Sequence, residues 1–375
     1  MEDKYMSKIK RNIGMKEIMF VFIAILLPCL LLTAEDGNKT QDETPAFQSL
    51  TQSIKDNKYL FVLVSNGKTN EMVDLFNKAK TTLSEKVLFT EINIADNTEE
   101  KFIKQFGIDK LESPAIVAIA PAGVVTKVFT KQAKAEELKD AFASPVTIEL
   151  LKATRDNKYL FVLFFKAERN GVPIPIGDKT DSNTSAMSEV FNKAKITYSD
   201  KAVFTEINVA DKSEERFIKR FEVNKVAKPL ILAIAPGEIV TKGFIKKVKQ
   251  EEIGEAFVTP KTLETLKANK DKKLIIMVFN NPKLEGSNKA ETIVNSVAKE
   301  MSSQTPLQVI IVDPADGAEK NLLARAAVSA DIKKPVVVVM QDGTLKGTID
   351  FDKLTANALK DLITKSCGAD CGPSG

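Results

Sequence analysis

The sequence of 375 residues contains no histidine, no tryptophan and only three cysteines. Without an imidazole there can be no Ser-His or Cys-His nucleophile pair and no histidine-ligated metal. Charge of one sign is also lacking, because 54 basic and 50 acidic residues leave a formal net charge of +4. This evenly spread balance indicates a solvated mixed surface and argues against a nucleic-acid-binding face. Several classes of hydrolase, metalloenzyme and nucleic-acid-binding protein are therefore excluded.

Residues 1–34 have the pattern of a targeting segment. Five basic residues precede an apolar run of fifteen residues from Ile18 to Leu32. At about 1.5 Å per helical residue, this run would extend about 22 Å, short of the ~30 Å hydrocarbon core of a bilayer. We interpret residues 1–34 as a secretory signal peptide cleaved near Ala34, with an uncleaved signal anchor at 18–34 as the alternative. Residues 35–44 form a polar spacer, and the rest of the chain is expected outside the cytoplasm, meeting a membrane only through an uncleaved N-terminal segment.

A segment of about a hundred residues is written three times. Residues 56–63 return letter for letter at 156–163, and residues 89–93 return at 204–208, while a more divergent copy begins near Lys273. A repeat of this length is a whole domain rather than a solenoid unit. The sequence therefore predicts domains at 45–145, 146–260 and 261–365, followed by a Gly/Cys tail at 366–375.

Each copy predicts the same order of elements. Phe47, Leu50 and Ile54 recur at the spacing of an opening helix, and residues 58–64 form a continuous apolar strand typical of burial on both faces. An amphipathic helix over 72–83 follows, then a strand, a short helix, a hairpin and a closing helix. This order predicts an α/β fold with a mixed sheet of four to five strands flanked by helices.

The second half of each copy resembles a thioredoxin domain. Residues 106–109 (Phe-Gly-Ile-Asp), 113–117 (Ser-Pro-Ala-Ile-Val) and 123–125 (Gly-Val-Val) match the family's approach to its cis-proline, the buried strand after it and the hairpin. The chain thus resembles proteins with tandem thioredoxin-like domains, such as the protein disulfide isomerases and calsequestrin. The resemblance implies three tandem thioredoxin-like domains after the signal segment. It also implies cis-prolines at Pro114, Pro229 and Pro335.

The chain departs from this family at its reactive site. Thiol enzymes with this fold carry Cys-x-x-Cys after the first central strand, where the start of a helix lowers the thiol pKa. The corresponding loops here, at 65–70, 166–185 and 280–285, contain no cysteine. Thiol–disulfide exchange at that position is therefore excluded. No catalytic residue is assigned within the domains, and no cofactor is expected.

The loop at 166–185 carries an insertion. Equivalent residues lie 100 apart before it (Tyr59 and Tyr159) and 115 apart after it (Phe89 and Phe204), so the second copy is longer by 115 − 100 = 15 residues. Apolar residues alternate with proline within it, which favours a stiff, extended segment. Two interpretations stay open: a loop that binds a protein or peptide, and a tolerated surface insertion. The candidate binding residues are Val172, Pro173, Ile174, Pro175 and Ile176.

An aspartate follows the second strand of every copy, at Asp96, Asp211 and Asp316. These residues could be metal-binding or catalytic carboxylates, or they could cap the next helix. Glu99 and Glu214 stand three residues further on, as a capping box requires. We therefore favour capping.

Two cysteines, Cys367 and Cys371, lie near the end of the chain in a Gly-rich segment. In an oxidising compartment such a pair is expected to form a disulfide or to bind something. A mobile redox arm, a soft-metal site for Cu(I) or Zn, and an inert disulfide are the three alternatives.

These observations favour an exported, redox-inactive protein that binds a protein or peptide partner through silent thioredoxin-like domains. The alternative is a thiol–disulfide oxidoreductase or soft-metal transfer protein that uses Cys367 and Cys371. A calsequestrin-like calcium buffer is disfavoured, because the nearly neutral charge lacks the acidic excess of that role.

Overall fold

The computed structural model describes residues 44–66, 71–95, 97–130, 133–169, 172–174, 182–245 and 248–367. The expected signal segment, nearly all of the polar spacer and the tail beyond residue 367 lie outside these ranges. Within them the strands form three four-stranded sheets, one in each repeat, and a two-stranded ribbon in the second repeat.

The three repeats contain the same elements with few exceptions. The first contains α1 (Pro45–Lys55), β1 (Tyr59–Ser65), α2 (Glu71–Leu83), β2 (Val87–Asn93), α3 (Glu100–Gln105), β3 (Ala115–Ile119) and β4 (Val125–Phe129). The second contains α4 (Pro145–Arg155), β5 (Tyr159–Phe165), β6 (Glu168–Arg169), β7 (Val172–Pro173), α5 (Ser182–Thr197), β8 (Ala202–Asn208), α6 (Glu215–Arg220), β9 (Leu230–Ala235), β10 (Ile239–Ile245) and α7 (Gln250–Gly254). The third contains α8 (Pro260–Lys270), β11 (Leu274–Phe279), α9 (Ser287–Met301), β12 (Leu307–Val312), α10 (Lys320–Ala326), β13 (Val336–Gln341), β14 (Thr344–Asp350) and α11 (Ala356–Cys367). The closing helix of the first repeat is a 3₁₀ helix, Ala135–Ala141.

The sheets share one topology. The strand orders are β2-β1-β3-β4, β8-β5-β9-β10 and β12-β11-β13-β14. The parallel pairs are β1 with β2, β5 with β8 and β11 with β12, and the hairpin strands of the first and third repeats pair antiparallel. This is the arrangement expected of a thioredoxin-like domain. The predicted α/β architecture is confirmed, with four strands in each main sheet.

Each sheet has a core on both faces, as the first shows. Along β1, Phe61 and Leu63 pack with Met72 and Phe76 of α2, whereas the alternate residues face α1 and α3 on the other side. Successive side chains of a strand point to opposite faces, so a strand covered on both sides must be apolar throughout. The predicted continuous apolar strand and amphipathic helix are both confirmed.

The aspartates after the second strand act as caps where they are described. Asp211 accepts a hydrogen bond from the Ser213 N–H at 2.8 Å, and Asp316 accepts one from the Ala318 N–H at 2.9 Å. Capping is confirmed for these two residues, and Asp96 lies outside the described residues.

Of the two expected capping-box partners, Glu214 does not turn back to Asp211, because the Asp211 N–H donates to Asn208 O at 2.9 Å, so that expectation is wrong. Asp96, the expected partner of Glu99, lies outside the described residues. Glu99 and Glu214 each reach to the start of the first helix of their own repeat, and Glu319 does the same in the third repeat. These carboxylates are 7%, 5% and 4% exposed. Backbone N–H groups in the first turn of a helix have no partner within the helix, and in the first two repeats the buried glutamate accepts from one of them. The bonds run from Thr44 Oγ1 and Ala46 N to Glu99, from Ser144 Oγ (2.6 Å) and Val146 N (3.1 Å) to Glu214, and from Thr259 Oγ1 (2.8 Å) to Glu319.

By its internal contacts the chain divides into two compact units rather than three. The first unit includes the described residues up to 232 together with Ile245, and therefore the whole first sheet. The second includes residues 233–244 and the described chain from 248 onward, and therefore the whole third sheet. The domain boundaries drawn from the repeats stay a prediction.

Candidate functional site

The loop after the first strand of each sheet is the candidate functional site. It lies at the carboxyl end of a strand whose parallel neighbour also ends there, which is where α/β sheets commonly bind ligands. Of these three loops, the one in the third repeat is described throughout, whereas residues 67–70 of the first and residues 170–171 and 175–181 of the second lie outside the described residues.

A polar residue at the end of the second strand recurs beside each loop. Asn93, Asn208 and Asp313 each accept a hydrogen bond from the N–H two residues further on, at 3.1, 3.1 and 2.9 Å. Asparagine and aspartate side chains commonly fix turns in this way. The recurrence is visible in the sequence as Asn, Asn and Asp at equivalent positions, whereas the capping prediction concerns the aspartate three residues later.

In the second repeat this asparagine holds the inserted loop. Residues 166–174, here called the arm, contain the ribbon of β6 and β7, although residues 170 and 171 lie outside the described residues. Asn208 Nδ2 donates to the carbonyls of Ala167 (2.6 Å) and Ile174 (3.0 Å), and its Oδ1 accepts from Ala167 N (3.3 Å). Ile174 N also donates to Ala167 O at 3.1 Å. The base of the arm is therefore closed by the Asn208 side-chain amide together with this backbone bond.

The outer part of the arm presents apolar surface. Val172 is 61% exposed, and Pro173 beside it is exposed and has no N–H to donate. Ala167 at the base is buried. The structure thus brings together Val172, Pro173 and Ile174 of the predicted binding loop, whereas Pro175 and Ile176 lie outside the described residues.

In the third repeat, the loop after β11 is held by the side-chain amides of its own residues Asn280 and Asn281. Asn281 Nδ2 donates to Asp313 Oδ1 at 2.9 Å, and this bond together with the Ala315 N–H holds the pKa of the Asp313 carboxyl below its usual value. Asn280 is buried and donates to Ser287 Oγ (2.8 Å) and Glu291 Oε1 (2.7 Å). The loop that carries cysteines in thiol enzymes is here an amide network.

The three candidate cis-prolines divide into two kinds. The peptide bonds before Pro114 and Pro229 are cis, but the bond before Pro335 is not, so that expectation is wrong. An X–Pro bond favours trans by only about 0.5–1 kcal/mol, so local contacts decide the isomer. In the third repeat those contacts differ, because Lys333 O accepts from Glu285 N (3.3 Å) and Lys334 pairs with Asp352 (2.7 Å).

The terminal cysteines can be placed only in part. Cys367 is the last residue of α11, but its side chain and the whole of Cys371 lie outside the described residues. Among the described side chains, no group of three His, Cys, Asp or Glu residues is arranged to hold a metal ion. The described helices also include none with both the length and the apolar content needed to cross a bilayer.

Comparison with known proteins returns structural similarity alone. No family model matches the sequence, and a search of curated proteins finds no match. Similar solved structures include human ERp44 in its zinc-bound form, at 12% identity over 85% of this chain and 90% of that chain, with a TM-score of 0.25. They also include the first two thioredoxin domains of Saccharomyces cerevisiae Eps1p, at 11% identity over 60% of this chain and 100% of that chain, with a TM-score of 0.23. Full-length ERdj5 matches at 12% identity over 84% of this chain and 46% of that chain, with a TM-score of 0.23. Similarity at this level carries no function across, and the thioredoxin-like fold rests on the strand order and directions of the three sheets.

Proposed function

We propose that this chain is an exported, redox-inactive thioredoxin-like repeat protein that binds a protein or peptide partner, with the arm as a contact surface. The observation that carries the proposal is the arm itself. Asn208 fixes its base by three hydrogen bonds, while Val172 at its outer part is 61% exposed.

The arrangement suits recognition for two physical reasons. A segment held before binding loses less conformational entropy when a partner arrives, so more of the contact energy appears as affinity. Burying one exposed valine side chain against a partner contributes about 1.5–3 kcal/mol. An arm with an exposed valine and proline therefore favours an apolar protein or peptide surface as its partner.

The chemistry of the loops supports a binding role over catalysis. None of the three loops contains a thiol, and the described loop of the third repeat is occupied by amide hydrogen bonds. The N-terminal targeting pattern supports export, so the partner is expected in the extracytoplasmic compartment.

A photo-crosslinking amino acid at position 172 tests the role of the arm. The matched control carries the same amino acid at Ile196, which is 80% exposed on α5. In the extracytoplasmic fraction of the native source, we expect a discrete protein adduct at 172 that is absent at 196 and is lost in the presence of excess unlabelled chain. Equal adduct patterns at both positions, or none at 172, would contradict the proposal.

The terminal cysteines keep one alternative open, because Cys367 and Cys371 would be the only sulfhydryls left after signal cleavage. An insulin-reduction assay on the wild-type chain and on the Cys367→Ser/Cys371→Ser variant separates the two functions. We expect no turnover from either protein. Activity in the wild type that disappears in the double variant would establish the oxidoreductase alternative.

A further inference from the structure

Asn93, Asn208 and Asp313 occupy equivalent positions, at or just after the end of β2, β8 and β12. The side chains of these three residues bind different groups. In the second repeat Asn208 holds the arm, and in the third repeat Asp313 holds Asn281 of its own loop. In the first repeat Asn93 keeps only the turn bond from the Ala95 N–H at 3.1 Å, within the part of the chain that the structure describes.

The Asn208 site shows what such a position can bind. Its amide pairs with a single residue of the arm in both directions, since Nδ2 donates to Ala167 O at 2.6 Å and Oδ1 accepts from Ala167 N at 3.3 Å. This is the pairing that a neighbouring strand would offer to an extended backbone. A second carbonyl, that of Ile174, is held at 3.0 Å.

The residues around Asn93 are more exposed than the equivalent residues around Asn208, which lie beside the arm. Asn208, Val209 and Ala210 are partly buried beside the arm, whereas Asn93 and Ala95 are exposed in the first repeat. Ile94 there is 40% exposed, although its backbone N–H is fixed on Ser65 O at 3.0 Å. The first repeat therefore has the same turn and pairing amide, with an uncovered isoleucine next to them.

We propose that Asn93 and Ile94 form a docking site for an extended peptide segment of a partner protein. In this site the Asn93 side-chain amide pairs with the backbone of the peptide, as the Asn208 amide pairs with the backbone of the arm. This inference rests on the proposed function, to which it adds a second contact surface and the class of ligand. The ligand is an extended backbone offering one residue's N–H and C=O to Asn93, with an apolar side chain against Ile94. Main-chain hydrogen bonds of this kind give affinity with little dependence on sequence, and neighbouring apolar contacts add selectivity.

The arm supplies its own probe for this site. A synthetic peptide of residues 165–176, labelled with a fluorophore, contains both strands of the ribbon and the apolar–proline alternation. Its anisotropy on titration with the full chain should show saturable binding. The informative variant is Asn93→Asp, since Asp313 at the equivalent position keeps the turn bond at 2.9 Å without any amide donor. We expect at least a tenfold weaker affinity in Asn93→Asp and a severalfold loss in Ile94→Ser.

The matched control is Asn77→Asp, which makes the same charge change at an exposed position on α2 of the same repeat. It should bind the peptide as the wild type does. Absence of saturable binding to the wild-type chain, or equal affinity of Asn93→Asp and wild type, would overturn the inference. A concentration-dependent dimer that Asn93→Asp dissociates in sedimentation velocity would also overturn it, because the occupant would then be the arm of a second copy.

The two proposals can fail separately. Peptide binding that depends on Asn93, together with no adduct at position 172, would remove the arm from the proposed function and leave the Asn93 site. A specific adduct at position 172, with no effect of Asn93→Asp on peptide binding, would keep the arm as a contact surface and overturn the Asn93 docking site.

Discussion

Buried carboxylates are costly unless they are hydrogen-bonded, and this chain buries at least one in every repeat. Glu99, Glu214 and Glu319 each receive a hydroxyl from the residue that precedes the helical proline of the same repeat. The hydroxyl bond is common to all three sites, and in the first two repeats the glutamate also accepts from a backbone N–H in the first turn of the helix.

Replacing Glu214 by alanine should destabilise the protein markedly. The substitution leaves Val146 N–H and Ser144 Oγ without the acceptor that they use at 3.1 and 2.6 Å. Hydrogen bonds to charged groups contribute about 1.5–3 kcal/mol, so we expect a loss of about 2 kcal/mol in urea unfolding. The neighbouring Glu215→Ala variant is the control, because Glu215 is exposed and pairs with Lys219 one helical turn away in a surface salt bridge. A cost below about 0.5 kcal/mol is expected there, and similar costs for both variants would contradict the capping role.

Tyr59 predicts a pH dependence at the alkaline end. Burial raises the pKa of its phenol above the usual value of 10.0, and the hydrogen bond with Ala143 opposes only part of that shift. Because the folded state resists ionisation, the stability associated with this group is complete below about pH 10 and is lost as pH rises through the folded-state pKa. Tyr59→Phe should cost about 1 kcal/mol at pH 7 through the Ala143 N–H bond of 3.0 Å. The difference between variant and wild type in urea unfolding should then shrink as pH rises above 10, and a constant difference would contradict this account.

The sequence predicted the aspartate caps correctly, but it did not predict which helix start Glu214 contacts or which loop Asn208 contacts. Asp211 and Asp316 act within two residues of their own position, so local spacing was enough to identify them. Glu214 acts on a helix start 68 residues away, and Asn208 on a loop 41 residues away. Only the folded chain brings such residues together.

Among the secondary-structure elements, the arm depends most on one side chain. Its ribbon has only two residues per strand, and two-stranded ribbons are at best marginally stable alone. We therefore expect the three bonds of Asn208 to add substantially to the backbone bond from Ile174 N to Ala167 O in holding the arm.

Asn208→Ala should release the arm while the second sheet stays folded. We expect faster hydrogen exchange at the amides of Ala167 and Ile174, and faster proteolysis within residues 166–174. The control is Asn93→Ala, which removes the equivalent turn bond from a repeat that has no arm. Unchanged exchange at both amides in Asn208→Ala would show that other contacts hold the arm.

Element order was predictable because burial on two faces imposes apolar strands and amphipathic helices, whatever the tertiary detail. The exceptions are residues that fit the sequence pattern but differ in burial or in peptide-bond conformation from the other residues of that pattern. Ile54 follows the helical spacing of α1 yet is 45% exposed, whereas Leu50 of the same pattern is buried. Pro335 occupies the place of Pro114 and Pro229 but has a trans peptide bond among different contacts. Spacing alone cannot distinguish such cases, since the differing contacts come from other segments.

For the whole molecule, the repeats indicated three domains, while internal contacts divide the chain into two compact units. The repeats share strand order and the buried glutamate, and the clusters on both faces of the first and third sheets belong to each sheet's own repeat. A substitution that removes contacts within one repeat should therefore favour local unfolding of that repeat before the rest of the chain, because local unfolding follows cooperative units of contacts.

Glu319→Ala tests whether the chain behaves in this way. Glu319 accepts from Thr259 Oγ1 at 2.8 Å at the start of α8, so its removal weakens the third repeat alone. In hydrogen-exchange mass spectrometry, we expect protection to fall in β11 and β13, while β1 and β3 of the first sheet exchange as in the wild type. The converse variant, Glu99→Ala, should reverse the pattern, because Glu99 accepts from Ala46 N at 3.0 Å at the start of α1. If either substitution lowered protection equally in both sheets, the chain would unfold as one cooperative body, and the repeats would be units of sequence but not of stability.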